Sequence, residues 1–266
     1  MSTVRKDAAP GSPTEKLYDL RGTLDYLREE GDLVITDKEV DPDLEIISLQ
    51  KKFDGGCPIL FNNIRGKPNN RVVTNLLSDQ TIINKMFGWP DNVTRTRMTA
   101  DAMRNPIPHS VIEQKDAPVQ EVVIENPENV NDFIVPVRHT EFEPELTVGS
   151  GIRCVTGKHF EGGTDLGYNR MNFRWGNIGT FQISPGSHMW QVVSRYYKSD
   201  EPVPITVCFG VPPSCTMLAG AGFDYVILPE GCDEIAIAGA LQGSPIRMVQ
   251  ARTVDALALA DAEVVL

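Results

Sequence analysis

The sequence has no long hydrophobic run, since no apolar segment approaches the ~20 residues that a helical membrane span requires. Its first residues, Met1 to Pro13, are polar and carry Pro, Gly and Ser, without the apolar core of a secretory signal peptide. We also find no internal repeat and no low-complexity segment. These absences predict a cytoplasmic protein in which residues 1–16 form a flexible tail.

Paired cysteines, a positive charge excess and a dinucleotide fingerprint are lacking as well. The five cysteines are an odd set without C-x-x-C spacing, which predicts free thiols in a reducing compartment. The chain has 25 Lys and Arg against 36 Asp and Glu, a formal net charge of −11. This acidic excess argues against nucleic acid and against anionic membrane surfaces as partners. No G-x-G-x-x-G follows a predicted strand, so a nicotinamide-dependent flavin enzyme is not favoured.

The first part of the chain alternates between helical and strand patterns. Leu20, Leu24 and Leu27 recur at helical spacing and predict a helix within residues 17–30. Residues 90–120 are rich in proline and predict loops, and Val119–Glu125 predicts a strand. We therefore expect an α/β region over residues 17–118. The further elements predicted there are helices at 41–53 and 79–87 and strands at 33–35, 59–61 and 71–74.

From Gly149 onward the pattern changes to short apolar strands separated by Gly and Pro turns, which is typical of a barrel or a sandwich. Helices are predicted at 188–198 and 234–241, and closing strands at 247–250 and 263–266. The fold class predicted for the whole chain is α+β. The strands predicted in this region are 152–156, 173–175, 181–183 and 205–209.

Two polar clusters lie in this β-rich region. Asp165 and Arg170 belong to the first, and His188 belongs to the second, 23 positions after Asp165. Glu234 follows a Gly- and Pro-rich loop. One imidazole and two carboxylates suit Mn²⁺ or Mg²⁺ better than a thiolate-bound zinc. Spacing alone does not distinguish this metal site from a histidine packed among apolar neighbours.

A third polar segment, residues 138–145, is acidic and contains His139. Such a run is most often a solvated face, and a second metal cluster is the alternative.

Several motifs, in one order along the chain, resemble the UbiD family of decarboxylases, which use prenylated FMN. The resemblance covers nearly the whole chain. Two motifs near the N-terminus also look like the family: Asp19-Leu20-Arg21 through Val40 to Glu45, and Phe61 to Gly66. The later motifs are Asp165-x4-Arg170-Met171, His188-Met189-Trp190-Gln191, Phe209 to Pro213, Glu234, and Ala238-Gly239-Ala240-Leu241-x-Gly243.

This resemblance implies that residues 119–266 form a split β-barrel that binds prenylated FMN. It implies that Asp165, His188 and Glu234 coordinate Mn²⁺ or Mg²⁺ bound to the cofactor phosphate, and the family usually has Asn where this chain has Asp165. It further implies a K⁺ ion held by backbone carbonyls near Arg170 and Met217–Ala219. The remaining cofactor-binding residues that it implies are Tyr168, Asn169, Arg170, Ser187 and Met217.

Arg170 matches the active-site arginine of the family, whose planar guanidinium suits a substrate carboxylate. Arg174 is the second choice, because its spacing to His188 differs from the family's. The activity implied is non-oxidative decarboxylation of an aromatic or α,β-unsaturated carboxylic acid, or the reverse carboxylation.

The family's two catalytic glutamates lie downstream of a motif that resembles Ala262–Leu266, where this sequence ends. Three hypotheses follow. The chain is a subunit of a split enzyme whose partner chain supplies the glutamates; or it is a truncated enzyme; or it is a flavin-binding or regulatory subunit without catalysis. The expected partner is a second chain carrying the C-terminal half, or the chain forms a homo-oligomer. The sequence favours the split enzyme, because a strand cut within its motif exposes an unpaired edge.

Overall fold

The protein is described from a computed structural model covering residues 17–155, 165–221 and 233–266. Its described α-helices are α1 (Leu20–Glu29), α2 (Glu45–Lys52), α3 (Gln80–Met86), α4 (Asn92–Arg104), α5 (His188–Lys198), α6 (Pro213–Ala219) and α7 (Glu234–Gln242). Its described strands are β1 (Val34–Thr36), β2 (Ile59–Phe61), β3 (Val72–Thr74), β4 (Ser110–Ile112), β5 (Thr147–Val148), β6 (Ile152–Val155), β7 (Asp165–Tyr168), β8 (Met171–Trp175), β9 (Ile178–Phe181), β10 (Thr206–Phe209), β11 (Arg247–Gln250), β12 (Leu257–Leu259) and β13 (Val264–Val265). The predicted tail, residues 1–16, lies outside the described residues.

The N-terminal region follows the sequence pattern closely. Asp19 caps α1 by accepting a hydrogen bond from the backbone N of Gly22 at 2.6 Å. Leu24 and Leu27, two of the residues that predicted this helix, are buried. Strand β2 lies between β1, which runs parallel to it, and β3, which runs antiparallel. The predicted alternation of helices and strands is thus present up to α3.

Two predictions for the middle of the chain are wrong. Residues 90–120 contain helix α4, whose N-cap Asp91 accepts a hydrogen bond from the backbone N of Thr94 at 2.6 Å. The sequence did not indicate this helix because only Ala102 of it is buried, and a helix with one buried residue has a weak amphipathic pattern. The strand predicted at 119–125 does not form in the described structure, where Val122, Val123 and Ile124 are exposed and have no strand partner.

The β-rich part forms three small sheets within the described residues. The orders are β13-β10-β6-β7, β12-β11-β4 and β5-β8-β9. The architecture is therefore a mixed α+β fold of several small sheets. The main hydrophobic core joins β6, β10 and β11 to helices α6 and α7, and its fully buried members include Cys154, Cys208, Cys215, Ile235, Ile237 and Met248.

Helix α5 contributes Met189, Val192 and Tyr196 to a separate apolar cluster, against which Phe181, Ile183, Val203 and Ile205 pack. The hairpin β8–β9 leads directly into this helix. The four cysteines within the described residues are free thiols, as the sequence predicts, whereas Cys232 lies outside them. No helix in the described part of the chain is both long and apolar enough to cross a membrane.

Candidate metal-binding site

Asp165, His188 and Glu234 come together at the edge of the β13-β10-β6-β7 sheet. One ligand atom from each side chain lies within 4.8 Å of the others. Nδ1 of His188 is 3.7 Å from Oδ1 of Asp165 and 3.6 Å from Oε1 of Glu234. Asp165 is the first residue of β7, while His188 and Glu234 are the first residues of α5 and α7. Strands β8 and β9, which lie between Asp165 and His188 in the sequence, belong to another sheet. The three side chains therefore meet at the starts of β7, α5 and α7, and the pairing of β8 with β9 does not bring them together.

The two helices begin at the cluster because side chains cap them there. Ser187 accepts a hydrogen bond from the backbone N of Trp190 at 3.2 Å, and Asp233 accepts one from the backbone N of Ala236 at 2.7 Å. The N-terminal ends of α5 and α7, which carry the positive ends of the helix dipoles, therefore both lie at the cluster. This arrangement favours an anion beside the cluster, in addition to a cation within it.

The electrostatics of the cluster favour a cation. Asp165 is 1% exposed and Glu234 is 3% exposed, whereas the His188 side chain is 21% exposed. Burial, together with the nearby charge of Asp165, raises the pKa of Glu234 to about 7. Two carboxylates and an imidazole form a donor set that Mn²⁺ or Mg²⁺ accepts. The residues therefore fit the metal that the resemblance implies.

The raised pKa of Glu234 predicts how stability depends on pH. Between its ordinary value of 4.5 and about 7, the folded protein binds more protons at this group than the unfolded chain does. The free energy of unfolding of the metal-free protein should therefore fall as pH rises through that window, by about 3 kcal/mol. Mn²⁺ should oppose the fall, since it binds the ionised carboxylate. Urea unfolding across the window, with a chelator or with Mn²⁺, measures both effects. The Glu234→Gln variant is the control, and an equal pH slope in that variant would contradict the assignment.

Arg153 is a charged residue of this cluster that the sequence analysis missed. It lies on β6 opposite Gly167 of β7, and its side chain is 4% exposed. One NH group donates to Oδ2 of Asp165, and Nε donates to Oδ1 of Asn169 at 2.5 Å. The sequence gave a signal, because Arg153 is the one charged residue in the strand predicted at 152–156, and an arginine buried there needs carboxylate or amide partners.

Gly167 provides the space for this guanidinium, which yields a prediction. A Cβ at Gly167 would lie 2.7 Å from an NH2 nitrogen of Arg153, too close for two non-bonded atoms. Gly167→Ala should lower the free energy of unfolding by about 2 kcal/mol. The matched control is Gly149→Ala, because a Cβ at Gly149 meets no atom within 4 Å. Denaturant unfolding of the two variants measures the difference, and equal losses would show that the Arg153 contact does not limit position 167.

Tyr168 and Arg170 line a large cavity beside the cluster. The cavity has a volume of about 1250 Å³ and lies between the N-terminal sheet and the segments around residues 133–152 and 209–211. Asp165, His188 and Glu234 do not line it. The Arg170 side chain is 65% exposed, and its Nε lies 3.9 Å from Oε1 of Glu143. Asp165 and Arg170 are thus only five positions apart, yet the Asp165 carboxylate lies in the buried cluster and the Arg170 guanidinium lies at an open cavity.

The other predicted cofactor-binding residues are Asn169, which directly follows β7, Ser187, which directly precedes α5, and Met217. Asn169 donates from Nδ2 to the backbone O of Gln182 at 2.7 Å, so both ends of its amide have partners. Ser187 is the buried N-cap of α5, and its hydroxyl donates to the backbone O of Ser184 at 2.9 Å. Met217 lies on α6, half-buried against the main core. The K⁺ site near Arg170 and Met217–Ala219 stays a prediction.

In the acidic segment 138–145, His139 contacts Glu143 of the same segment. Oε2 of Glu143 accepts a hydrogen bond from the backbone N of His139 at 2.9 Å and lies 3.1 Å from its Nδ1. Among the described residues, the cluster of Asp165, His188 and Glu234 is the one with metal-ligand geometry. The solvated-face interpretation of residues 138–145 therefore fits better than a second metal cluster.

Comparison with family models identifies both parts of the chain. The model "3-octaprenyl-4-hydroxybenzoate carboxy-lyase Rift-related domain" matches residues 110–266. The corresponding N-terminal domain model matches residues 24–103.

Curated relatives and solved structures give the same result. The chain is 28% identical to a gallate decarboxylase of Lactiplantibacillus plantarum, over 94% of this chain and 53% of the relative. It is 30% identical to a pyrrole-2-carboxylic acid decarboxylase of Pseudomonas aeruginosa, over 93% of this chain and 51% of the relative. The chain thus spans about half the length of these relatives.

A structural comparison finds the UbiD-class enzyme HmfF from Pelotomaculum thermopropionicum, in an evolved dimeric form in complex with prFMN. The TM-score is 0.81 at 27% identity, and the match covers 93% of this chain and 56% of that one. A structure of the same enzyme in complex with FMN matches with the same TM-score. Together with the family models, which match most of the sequence, these likenesses show that the chain belongs to the UbiD family.

Proposed function

We propose that this chain is the metal- and flavin-binding part of a UbiD-type decarboxylase that acts on an aromatic or α,β-unsaturated carboxylic acid. The observation that carries the proposal is the cluster of Asp165, His188 and Glu234, where two carboxylates and an imidazole lie within 4.8 Å of one another at two helix N-termini. Mn²⁺ or Mg²⁺ in the cluster would join the acidic protein to the phosphate of prenylated FMN. The bound complexes of HmfF with prFMN and FMN support the same class of cofactor.

The flavin-binding unit of the proposal is residues 119–266, which would form a split β-barrel. The antiparallel sheets β13-β10-β6-β7 and β5-β8-β9 supply its strands, and β7 and β8 follow one another along the chain. The N-terminal part, residues 17–118, supplies one side of the cavity that Arg170 faces.

In this proposal Arg170, Glu143 and the N-termini of α5 and α7 each have a physical task. The guanidinium of Arg170, open to the cavity, would bind both oxygens of a substrate carboxylate. Glu143 lies close enough to restrict the rotation of that guanidinium. The N-termini of α5 and α7 would face the cofactor phosphate. Prenylated FMN, when bound, would supply a transient sink for the electron pair that remains on the substrate when CO₂ leaves.

The gallate and pyrrole-2-carboxylic acid decarboxylases among the relatives support an aromatic acid as the substrate class. We further propose that the glutamates that complete the active site come from a partner chain that carries the C-terminal half. We also propose a K⁺ ion near Arg170 and Met217–Ala219, as the resemblance to the family implies. A flavin-binding or regulatory subunit without catalysis is the alternative, and it predicts bound flavin without release of CO₂.

Native mass spectrometry and a CO₂-release assay on the purified protein test the proposal. The protein should be isolated both alone and with any chain that co-purifies, and offered pyrrole-2-carboxylate and gallate. We expect the mass of prenylated FMN, one divalent ion per site, and CO₂ release from an aromatic acid by the complete assembly. Bound flavin without CO₂ release from any assembly would favour the alternative, and the absence of both flavin and metal would contradict both functions.

A further inference from the structure

Arg153 is in direct contact with Asp165, a ligand of the candidate metal cluster, and no step of the proposed reaction uses it. Its guanidinium is buried and has two partners, Oδ2 of Asp165 and Oδ1 of Asn169. An arginine is rarely buried without a specific role for its charge or its fixed geometry, because its desolvation is costly. The Arg153 guanidinium is therefore expected to have a role at the cluster of Asp165, His188 and Glu234.

The contact divides the two oxygens of Asp165 between different partners. Oδ2 accepts from Arg153, while Oδ1 lies 3.7 Å from Nδ1 of His188. With Oδ2 already bonded, Asp165 has one oxygen free to bind an ion in the cluster. A carboxylate that binds through one oxygen occupies one coordination position, whereas a chelating carboxylate occupies two. Arg153 therefore leaves a coordination position for an external ligand.

The contact also changes the charge of the cluster. Asp165 and Glu234 contribute two negative charges, and a histidine that binds a metal is neutral. Arg153 reduces this sum to one negative charge, so a divalent ion leaves the group with one positive charge. Without Arg153 the loaded group would be neutral. An anionic ligand such as a phosphate monoester binds better to the positive group, particularly in a buried site of low dielectric constant.

We propose that Arg153 is a positioning residue that keeps Asp165 a one-oxygen ligand and keeps the metal-loaded cluster positive, so that the cluster prefers a phosphate-bearing ligand. The inference rests on the proposed metal site. Arg153 also connects this site to the cavity, because its second partner, Asn169, directly precedes Arg170.

The proposal predicts two effects of opposite sign for Arg153→Met. Mn²⁺ affinity without flavin should rise about tenfold, since a positive charge is removed and Asp165 gains a second free oxygen. The Mn²⁺-dependent affinity for FMN should fall about tenfold, since the loaded cluster becomes neutral. Affinity for riboflavin, which lacks the phosphate, should not change. A residue with a merely structural role would weaken Mn²⁺ and FMN binding together.

The double variant Arg153→Met with Asp165→Asn is the charge-matched control. It removes one positive and one negative charge, so its cluster keeps the charge of the wild-type protein and no unpaired buried carboxylate remains at position 165. It should bind Mn²⁺ about tenfold more tightly than Asp165→Asn alone, which retains a buried arginine without its carboxylate partner. This comparison tests the proposal even if Arg153→Met alone does not fold.

The 266-residue chain, stripped of metal with a chelator, is the material for the experiment. Titration calorimetry gives the Mn²⁺ affinity, and quenching of flavin fluorescence gives the FMN and riboflavin affinities. Opposite changes in Mn²⁺ and FMN affinity, with riboflavin unchanged, support the inference. Parallel losses of Mn²⁺ and FMN binding in Arg153→Met, or a double variant no better than Asp165→Asn, overturn it. A wild-type protein that binds no Mn²⁺ overturns the proposed metal site itself, so the two failures are distinguishable.

Discussion

Replacing His188 by alanine is expected to lower the affinity of the protein for Mn²⁺ by about 100-fold or more, because it removes a direct ligand where loss of a supporting residue alone costs 10–100-fold. The imidazole is the one nitrogen donor in the cluster, and it lies between the two carboxylates. Its loss also leaves Asp165 and Glu234 side by side with less to separate them. A water molecule is a poor substitute for the imidazole nitrogen as a ligand, because helix α5 holds the His188 side chain at the cluster and does not hold the water there.

The fold should tolerate this change. The side chain of His188 is 21% exposed, and the apolar contacts that hold α5 come from Met189, Val192 and Tyr196. Calorimetric titration of the metal-free protein with Mn²⁺ gives the affinity, and circular dichroism reports the fold. His109→Ala, at a histidine outside the cluster, is the matched control and should bind Mn²⁺ as the wild-type protein does. Wild-type affinity in His188→Ala would show that the three side chains do not form a metal site.

The sequence predicts where α5 and α7 begin better than it predicts some of the structure around them. Helix α5 begins at His188 as expected, because Ser187 is a strong N-cap immediately before an amphipathic segment. Glu234 begins α7 for a similar reason, with Asp233 as its cap. Local capping therefore places two of the three predicted ligands, and this information lies in adjacent residues.

Other features depend on contacts that are remote in the sequence. The contact between Arg153 and Asp165 requires the antiparallel register of β6 and β7, which sets Arg153 opposite Gly167. Helix α4 escaped prediction because it buries only Ala102, so hydrophobic periodicity is weak where proline is frequent on both sides. The segment at 119–125 has the residue types of a strand, yet its apolar side chains remain exposed without a pairing partner in the described structure. In each case tertiary contacts decide, and spacing along the chain does not report them.

Replacing Arg170 by alanine is expected to abolish decarboxylation by the complete enzyme while leaving its flavin and metal content unchanged. The guanidinium is 65% exposed at the cavity and lies 3.9 Å from Glu143, whose carboxylate keeps its hydrogen bond from the backbone N of His139 when the guanidinium is removed. The loss should appear as a fall of about 1000-fold or more in turnover, since a paired charge at the reacting carboxylate contributes several kcal/mol to transition-state binding. The flavin absorbance of the purified variant and its rate of CO₂ release measure the two quantities. Arg174→Ala is the matched control, because Arg174 is also exposed on β8 but does not line the cavity. Full activity in Arg170→Ala together with its loss in Arg174→Ala would reverse the assignment of the two arginines.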